Sequence, residues 1–208
     1  MTDRHDGDFR TDGHPEVLAD ARRLVADRPW TWLRQIHGAT VVEVDEPGAG
    51  AGEEADASVT ATPGAVLAVQ TADCAPVVLI NDGAVGLVHA GWRGVVAGVV
   101  PAAVAALRRR GEGEVRAVLG PVIRPDNYEF DEPELSTVVA STGPEARATT
   151  TDGRPALDLA AAVTVSLAGA GVGRLDDLGF DTAEPDFYSH RCRGDTGRQV
   201  TTVCMEPR

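Results

Sequence analysis

The sequence predicts a single α/β domain of the layered α+β kind, with mixed sheets covered by helices. The chain has 208 residues, which is enough to build a sizeable core in one domain spanning 1–208. Continuous apolar segments of strand length lie between segments with helical periodicity. Two of the apolar segments are joined by a tight-turn signal, which favours adjacent strands and hence mixed sheets with helices packed against them.

The N-terminal part predicts one helix, one strand and one loop. Apolar residues at helical spacing predict a helix over 15–28. The alternating segment 41–45 predicts a short strand. Residues 46–57 are rich in Gly, Ala and Glu and have no periodicity, which is typical of a flexible loop.

The most strongly patterned part of the chain predicts three buried strands. The apolar segments 65–70, 77–82 and 84–91 have strand length, and the Asn-Asp-Gly sequence at 81–83 predicts that the second and third form a hairpin. Segments this apolar are typical of strands covered on both faces.

A helix is predicted next, over 95–111, with three arginines in its last turn and Gly111 as its end. Pro101 should kink this helix or mark its true start. Residues 114–120 predict another strand, and the following segment 121–130 predicts a loop.

The remaining elements are two helices and a closing strand. Asp131 and Glu134 form a capping-box pattern that predicts a helix reaching about residue 140. The apolar segment 156–171 predicts another helix, and the alternating segment 197–207 predicts the last strand. No internal repeat or linker divides the chain.

Composition excludes several classes of function. The formal net charge of −13 argues against binding to nucleic acids or to anionic membranes, because both require a basic surface. No apolar stretch approaches membrane-spanning length and no leader is evident, so we expect a cytoplasmic protein. Three cysteines without a short-spaced pair make a disulfide framework improbable. We expect a monomer or a weak homodimer.

One cysteine and two histidines stand at the edges of apolar segments. Cys74 ends the sequence TADC, His89 begins HAGWRG, and His37 lies in QIHG. These side chains are the ligand types of a catalytic zinc site. Cys74 and His89 are equally the residue types of a cysteine nucleophile and its base, and each alone is also typical of a buried structural residue. Spacing alone leaves these interpretations open.

Other polar residues lie near these motifs. Asp73 can orient a ligating imidazole or accept a proton, or it can simply cap a turn. Arg93 precedes a predicted helix start, and Arg191 belongs to a second basic cluster; both are suited to phosphate. We interpret Arg193 as a member of a solvated surface ion pair. Cys192, Cys204 and the three tryptophans are interpreted as structural.

The motifs QIHGATVV, DASVT, VQTADCAPVVL, VGLVHAGWRG, LGPVI, YEF and DFYSHRCRGDTGR occur in this order over nearly the whole chain. In this combination the chain resembles the YfiH-like family, historically named for laccase or polyphenol oxidase activity and later linked to purine nucleoside cleavage. The resemblance implies a fold distantly similar to the cytotoxic-necrotizing-factor toxins. It also implies a zinc ion held by His37, Cys74 and His89.

The activities implied by the resemblance are phosphorolysis of adenosine, inosine, guanosine and methylthioadenosine, together with deamination of adenosine. Nucleoside and phosphate are then the expected partners. Asp73, Cys74 and His89 are the expected catalytic residues. The expected substrate and phosphate contacts are Arg4, Gln35, Arg93, His190 and Arg191, with Arg4 assigned from a degenerate form of the family's opening motif.

Two other hypotheses remain. The older family name implies a copper-dependent polyphenol oxidase, and a Cys-His₂ set can bind copper. A laccase needs several coppers, however, and this chain has five histidines. The third hypothesis is a cysteine-type amide hydrolase acting on a cell-wall precursor, with Cys74 as nucleophile and His89 as base.

Overall fold

The computed structural model describes residues 1–206. The helices are α1 Pro15–Val25, α2 Trp92–Ala97, α3 Val99–Arg110, α4 Glu132–Thr142, α5 Leu159–Gly169 and α6 His190–Arg193. The strands are β1 Trp30–Trp32, β2 Val41–Val44, β3 Ala57–Thr60, β4 Val66–Thr71, β5 Ala75–Asp82, β6 Ala84–Ala90, β7 Glu112–Leu119, β8 Arg147–Thr149, β9 Pro155–Leu157, β10 Arg174–Asp177 and β11 Gln199–Cys204. The predicted α/β class with mixed sheets is confirmed.

The strands form two main sheets and one small hairpin. The larger sheet has the order β10-β7-β5-β6-β3-β2, with parallel pairs at both edges and antiparallel pairs between them. A second sheet of three strands has the order β1-β4-β11. Strands β8 and β9 pair with each other, and Ala156 of β9 also forms a bridge with Glu129.

The core consists of three apolar clusters, each of which lies between two layers of the fold. The first lies between the larger sheet and helices α3, α4 and α5. The second lies between the two sheets, where Leu67 of β4 and Leu87 of β6 are fully buried. The third lies between the smaller sheet and α1, around Phe9 and Trp30. Because β4 and β6 each lie between two layers, every residue of both strands is buried, as their continuous apolar sequences predict.

The hairpin of β5 and β6 is confirmed, since Asn81 pairs with Ala84 across the turn. Gly83 adopts a left-handed φ of 98° there, which favours glycine. Among residues 1–206, no helix is both long and apolar enough to cross a bilayer.

Several boundaries differ from the sequence-based expectations. The first helix ends at Val25 rather than at residue 28. The helix predicted over 95–111 is two helices, because Gly98 adopts a left-handed conformation between α2 and α3. Pro101 therefore lies in the first turn of α3, where its missing N–H costs nothing.

Three further differences concern the second half. Asp131 precedes α4 but makes no side-chain cap, so the predicted capping box does not form. Residues 155–157 form a strand, and the helix predicted from 156 begins at Leu159 after the capping side chain of Asp158. Four further strands were not predicted, β8 and β10 in this half of the chain and β1 and β3 in the first half. Residue 207 of the predicted closing strand lies outside the described residues.

Candidate metal centre and cavity

Cys74 lies in the tight connection between β4 and β5, which belong to different sheets. The residue before it, Asp73, has a φ of 95°, a conformation that non-glycine residues rarely adopt. The chain therefore turns sharply at the point where it leaves one sheet for the other. This turn places the half-buried Cys74 thiol at the end of the inter-sheet space.

His89 reaches the same place from β6. It alternates along the strand with Val85 and Leu87, which pack in the apolar cluster between the sheets, so its side chain points to the same face. The side chain is 3% exposed. The carboxylate of Asp56, at the start of the neighbouring β3, lies 2.8 Å from His89 Nδ1. This contact leaves Nε2 for a metal or a proton partner.

His37 lies in the connection between β1 and β2 and has a φ of 58°. The backbone N–H groups of Ile36, His37 and Gly38 all donate to the carboxylate of Asp56, at 3.3, 2.9 and 2.7 Å. The loop is thus folded around a buried carboxylate. Its imidazole faces the other two residues, and its ring centroid lies 4.8 Å from that of His89.

The three side chains converge in a geometry that suits a metal ion. Their ligand atoms all lie within 4.8 Å of one another, and Cys74 Sγ is 3.8 Å from His37 Nε2. Ligand atoms around a tetrahedral zinc ion lie roughly 3.4 to 3.8 Å apart. A Cβ at Gly91 would lie 2.6 Å from His37 Cδ2 and 3.0 Å from Cys74 Sγ. Glycine at this position therefore keeps room beside the ligands, and the residues present fit a metal.

Electrostatics also favour metal binding. Burial raises the pKa of the Cys74 thiol, but the neighbouring His89 and His37 outweigh burial and bring the pKa well below its usual value. Burial likewise opposes ionisation of Asp56, yet hydrogen bonds from His89 and Gly38 hold the pKa of that carboxyl below its usual value. Burial lowers the pKa of His89, but Cys74 and Asp56 outweigh burial and raise that pKa to about 9. The metal-free site therefore favours a thiolate paired with an imidazolium; the thiolate is the form of cysteine that binds metals, and a metal would take the place of the imidazolium proton.

Asp73 does not contact the histidines. Its Oδ1 accepts hydrogen bonds from the hydroxyls of Thr182 and Ser189, at 2.8 and 2.6 Å, and its Oδ2 accepts from the backbone N–H of Arg191, at 2.6 Å. The carboxylate is 6% exposed. Its oxygens are engaged in holding the segment around α6, which favours a positioning role over the proton transfer predicted from the sequence.

A cavity of about 750 Å³ opens over His37, Cys74 and His89, a volume within the range that holds small-molecule ligands. Its lining includes Arg10, Thr11, Asp12, Leu33, Arg34, Gln35, His37, Gln70, Thr71, Ala72, Asp73, Cys74, His89, Trp92, Arg93, Tyr128, His190, Arg191, Thr196 and Arg198. Five arginines line it in a chain whose net charge is −13.

Arg93 and Arg191 are each held by an aromatic ring and by one polar contact. Arg93 stacks on Trp92, with its guanidinium carbon 4.2 Å from the ring centroid, and lies 3.4 Å from a carboxylate oxygen of Glu134. Arg191 lies 4.7 Å from the ring centroid of Tyr128 and donates from Nη1 to the carbonyl of Glu129. Both residues line the cavity, and stacking on an aromatic ring restricts the orientation of each planar guanidinium group.

Gln35 lines the cavity, but its amide is engaged. Its Nε2 donates to the carbonyl of Gln70 at 2.7 Å, and its Oε1 accepts from the backbone N–H of Gln70 at 2.9 Å. These two bonds tie the loop of His37 to the end of β4, just before the turn that carries Cys74. The structure therefore gives Gln35 a positioning contact in place of a free substrate-binding amide.

Arg4 lies outside the lining of this cavity, contrary to the expectation from its motif. Its guanidinium lies 3.5 Å from Asp195 and over the ring of Tyr188. Arg10 and Arg198 line the cavity instead. Arg193 is exposed and forms the expected surface ion pair, with Asp195, and it also donates to four backbone carbonyls in the segment 182–187.

The predicted site residues do not include Asp56 and Tyr128. Asp56 begins the motif DASVT, at the end of a segment predicted to be a loop, and the motif assigns it no role. Tyr128 is 6% exposed in the cavity wall, and burial raises the pKa of its hydroxyl. The hydroxyl therefore stays protonated and remains a hydrogen-bond donor. Tyr128 begins the YEF motif, which lies in a predicted loop between a strand and a helix, and that motif is the available signal.

The fold and the site together define a layered α/β protein with a candidate His₂Cys metal centre. The chain is 31% identical to NMB0706 of Neisseria meningitidis, with a TM-score of 0.85 over 96% of this chain and 86% of that one. It is 27% identical to YfiH of Bacillus licheniformis, with a TM-score of 0.84 over 95% and 84%.

Sequence relatives are named for one activity. A Mycobacterium tuberculosis protein named purine nucleoside phosphorylase is 37% identical, over 96% of this chain and 84% of its own. A Streptomyces coelicolor protein of the same name is 43% identical, over 84% and 74%. A family model described as multi-copper polyphenol oxidoreductase laccase matches residues 5–206. The chain belongs to that family, and the resemblance to the YfiH-like proteins is confirmed.

Proposed function

We propose that this protein is a zinc-dependent purine nucleoside phosphorylase that also deaminates adenosine. Its substrates would be adenosine, inosine, guanosine and methylthioadenosine, with phosphate. The observation that carries the proposal is that one cavity combines a His₂Cys group with several arginines. The cavity volume is in the range that holds small-molecule ligands, and two of the relatives described above are named purine nucleoside phosphorylase.

In this proposal His37, Cys74 and His89 hold the metal. A zinc ion bound by these residues supplies a Lewis acid and lowers the pKa of water to near neutrality. Copper is an alternative occupant, because a Cys-His₂ set binds both ions. The carboxylate of Asp56 keeps the proton of His89 on Nδ1, so that Nε2 is free to act as a ligand.

The protein's own residues would bind and orient the phosphate. Arg93 and Arg191 are the candidates, since both guanidinium groups line the cavity and each is oriented by an aromatic ring. During phosphorolysis a phosphate oxygen bonds to C1′ of the ribose while the bond from C1′ to the purine breaks. The sugar becomes positively charged in the transition state, and an adjacent phosphate stabilises that charge.

The departing purine takes the bonding electron pair and needs a proton or a hydrogen bond. Tyr128 and His190 line the cavity and carry groups that can donate one. Tyr128 is the better donor for a neutral contact, because burial keeps its hydroxyl protonated.

The test is phosphate-dependent release of free base from a panel of purine nucleosides, measured by chromatography with and without a chelator. Cys74→Ala should abolish both phosphorolysis and deamination. Cys204→Ala is the matched control, since Cys204 lies on β11 next to Arg28 and is expected to leave activity unchanged. Full phosphorolysis by metal-free protein or by Cys74→Ala would overturn the proposal.

The family description supports a second candidate, a copper-dependent polyphenol oxidase. Laccase chemistry needs several coppers, whereas the described residues 1–206 offer one group of three ligands. Metal analysis of protein made without added copper, paired with a phenol-oxidation assay, separates the two candidates. Phenol oxidation that requires stoichiometric copper and persists without nucleoside cleavage would favour the oxidase.

A third candidate is a cysteine-type amide hydrolase acting on a cell-wall precursor. The site contains the residue types of a nucleophile, a base and an orienting carboxylate, in Cys74, His89 and Asp56 respectively. Inactivation by iodoacetamide together with full activity in chelator would favour this hydrolase over the phosphorylase.

A further inference from the structure

The carboxylate of Asp56 is fully buried and lies between the two histidines. Oδ1 contacts Nδ1 of His89 at 2.8 Å and accepts the N–H of His37 at 2.9 Å. Oδ2 accepts the N–H of Gly38 at 2.7 Å and that of Ile36 at 3.3 Å. One carboxylate thus receives donors from both segments that carry histidine ligands.

The loop of His37 has the form of a backbone nest. Consecutive N–H groups point at one anion when neighbouring residues alternate between right- and left-handed conformations. His37 supplies the left-handed member, with a φ of 58°, which a non-glycine residue adopts at a free-energy cost. Nests usually bind phosphate or another external anion, but here the anion is a side chain of the protein itself.

The backbone of Asp56 reinforces this arrangement. Its carbonyl accepts the N–H of His89 at 2.7 Å, and its N–H donates to the carbonyl of Thr40 at 3.1 Å. Asp56 is therefore fixed to β6 on one side and to the segment before β2 on the other. Its carboxylate has little freedom to follow a moving ligand.

We infer that Asp56 is the positioning residue that sets both histidines of the metal centre: it fixes the tautomer of His89 and holds His37 in its left-handed conformation. The inference rests on the metal site of the proposed function. Its physical basis is that the two imidazoles are oriented through one buried charge, so loss of that charge misplaces two ligands at once. Carboxylates that orient metal-binding histidines contribute about 10- to 100-fold to metal affinity.

The test is the affinity for zinc, measured by competition with a chromophoric chelator in the full-length protein. Asp56→Asn is nearly isosteric, and its amide oxygen can still accept from His89. Its NH₂ group, however, would face the N–H groups of the His37 loop. We expect zinc affinity to fall at least 10-fold.

Ser58→Ala is the matched control, because Ser58 is buried on β3, two residues after Asp56. This variant should keep the zinc affinity of the unaltered protein. Zinc affinity in Asp56→Asn within twofold of the control would overturn the inference. An equal loss in both variants would also overturn it. Because no turnover is measured, the result stands apart from the phosphorolysis assay, whose failure would overturn the proposed activity alone.

A measurement on the unaltered protein covers the case in which Asp56→Asn fails to fold. Nitrogen-15 NMR of the histidine rings should show the zinc-bound protein with the proton of His89 on Nδ1 and the metal on Nε2. The amide protons of His37 and Gly38 should exchange slowly with solvent. Zinc bound through Nδ1 of His89, with the proton on Nε2, or rapid exchange of these two amides, would overturn the inference.

Discussion

At the scale of single residues, the site depends on two buried carboxylates with different tasks. Asp56 contacts the histidines, whereas Asp73 holds the segment around α6 that presents Arg191 and His190. Asp73 precedes Cys74 in the chain, and Asp56 contacts His37 and His89. Each carboxylate also accepts hydrogen bonds from groups that are not metal ligands, such as the hydroxyl of Ser189 for Asp73 and the N–H of Gly38 for Asp56. Both carboxylates therefore position other groups of the site, and experiments should distinguish the effect of Asp56 on metal binding from the effect of Asp73 on phosphate binding.

Replacement of Asp73 by asparagine should weaken phosphate binding without loss of metal. An amide cannot accept all three hydrogen bonds, so the backbone of Arg191 loses an acceptor whose charge makes that bond worth about 1.5–3 kcal/mol. We expect KM for phosphate to rise roughly 10-fold or more, with zinc content unchanged. Asp20→Asn, an exposed site on α1 paired with Arg23, is the control.

The two roles for Asp73 make different predictions about pH. A proton acceptor would change kcat and flatten its pH profile while leaving KM for phosphate intact. If Asp73→Asn shows that pattern, the proton-transfer role predicted from the sequence is correct and the positioning role is wrong.

At the scale of elements, the metal centre is assembled from two connections between strands and the end of a third strand. His37 comes from the loop between β1 and β2, Cys74 from the turn between β4 and β5, and His89 from the end of β6 just before α2. The turn from β6 into α2 must pass close to the other ligands, and Gly91 makes this possible because it has no side chain. Glycine here is required for space, since its φ is −74° and lies in an ordinary region.

Gly91→Ala should reduce metal content. The added Cβ would lie 2.6 Å from His37 Cδ2 and 3.0 Å from Cys74 Sγ, so at least one ligand must move. We expect zinc affinity to fall at least 10-fold, measured by chelator competition. Gly169→Ala is the matched control: it lies in α5 with no neighbouring atom within 4 Å, and alanine favours a helix. Equal zinc affinity in the two variants would show that the turn accommodates the methyl group.

Several of these elements could be predicted from sequence, and others could not. The continuous apolar segments of β4, β5 and β6 predicted buried strands and their hairpin, since burial on both faces leaves a clear pattern. By contrast, β1 has three residues and β3 has four, too few for a period to show. Asp56 precedes β3, and its position opposite His89 follows from sheet pairing between residues 33 positions apart. No local pattern contains that information.

At the scale of the whole molecule, the site belongs to the apolar cluster between the two sheets. Leu87 lies two residues before His89 on the same face of β6, and Leu67 of β4 packs in the same cluster. The helices on the far side of the larger sheet form a separate cluster. The sequence predicts a single layered domain, but it does not predict which of these two apolar clusters the metal centre lies against.

The two interiors should therefore differ in their effect on the metal. Leu87→Ala and Leu135→Ala each truncate a fully buried leucine, and each should lower the free energy of unfolding by about 2–5 kcal/mol, measured with urea. Only Leu87→Ala should also weaken zinc binding, because the resulting cavity lets β6 relax beside His89. Zinc affinity is compared in the absence of urea, where both variants are folded. An equal loss of affinity in both variants, or a larger loss in Leu135→Ala, would mean that zinc affinity depends on overall stability and not on the packing between the sheets.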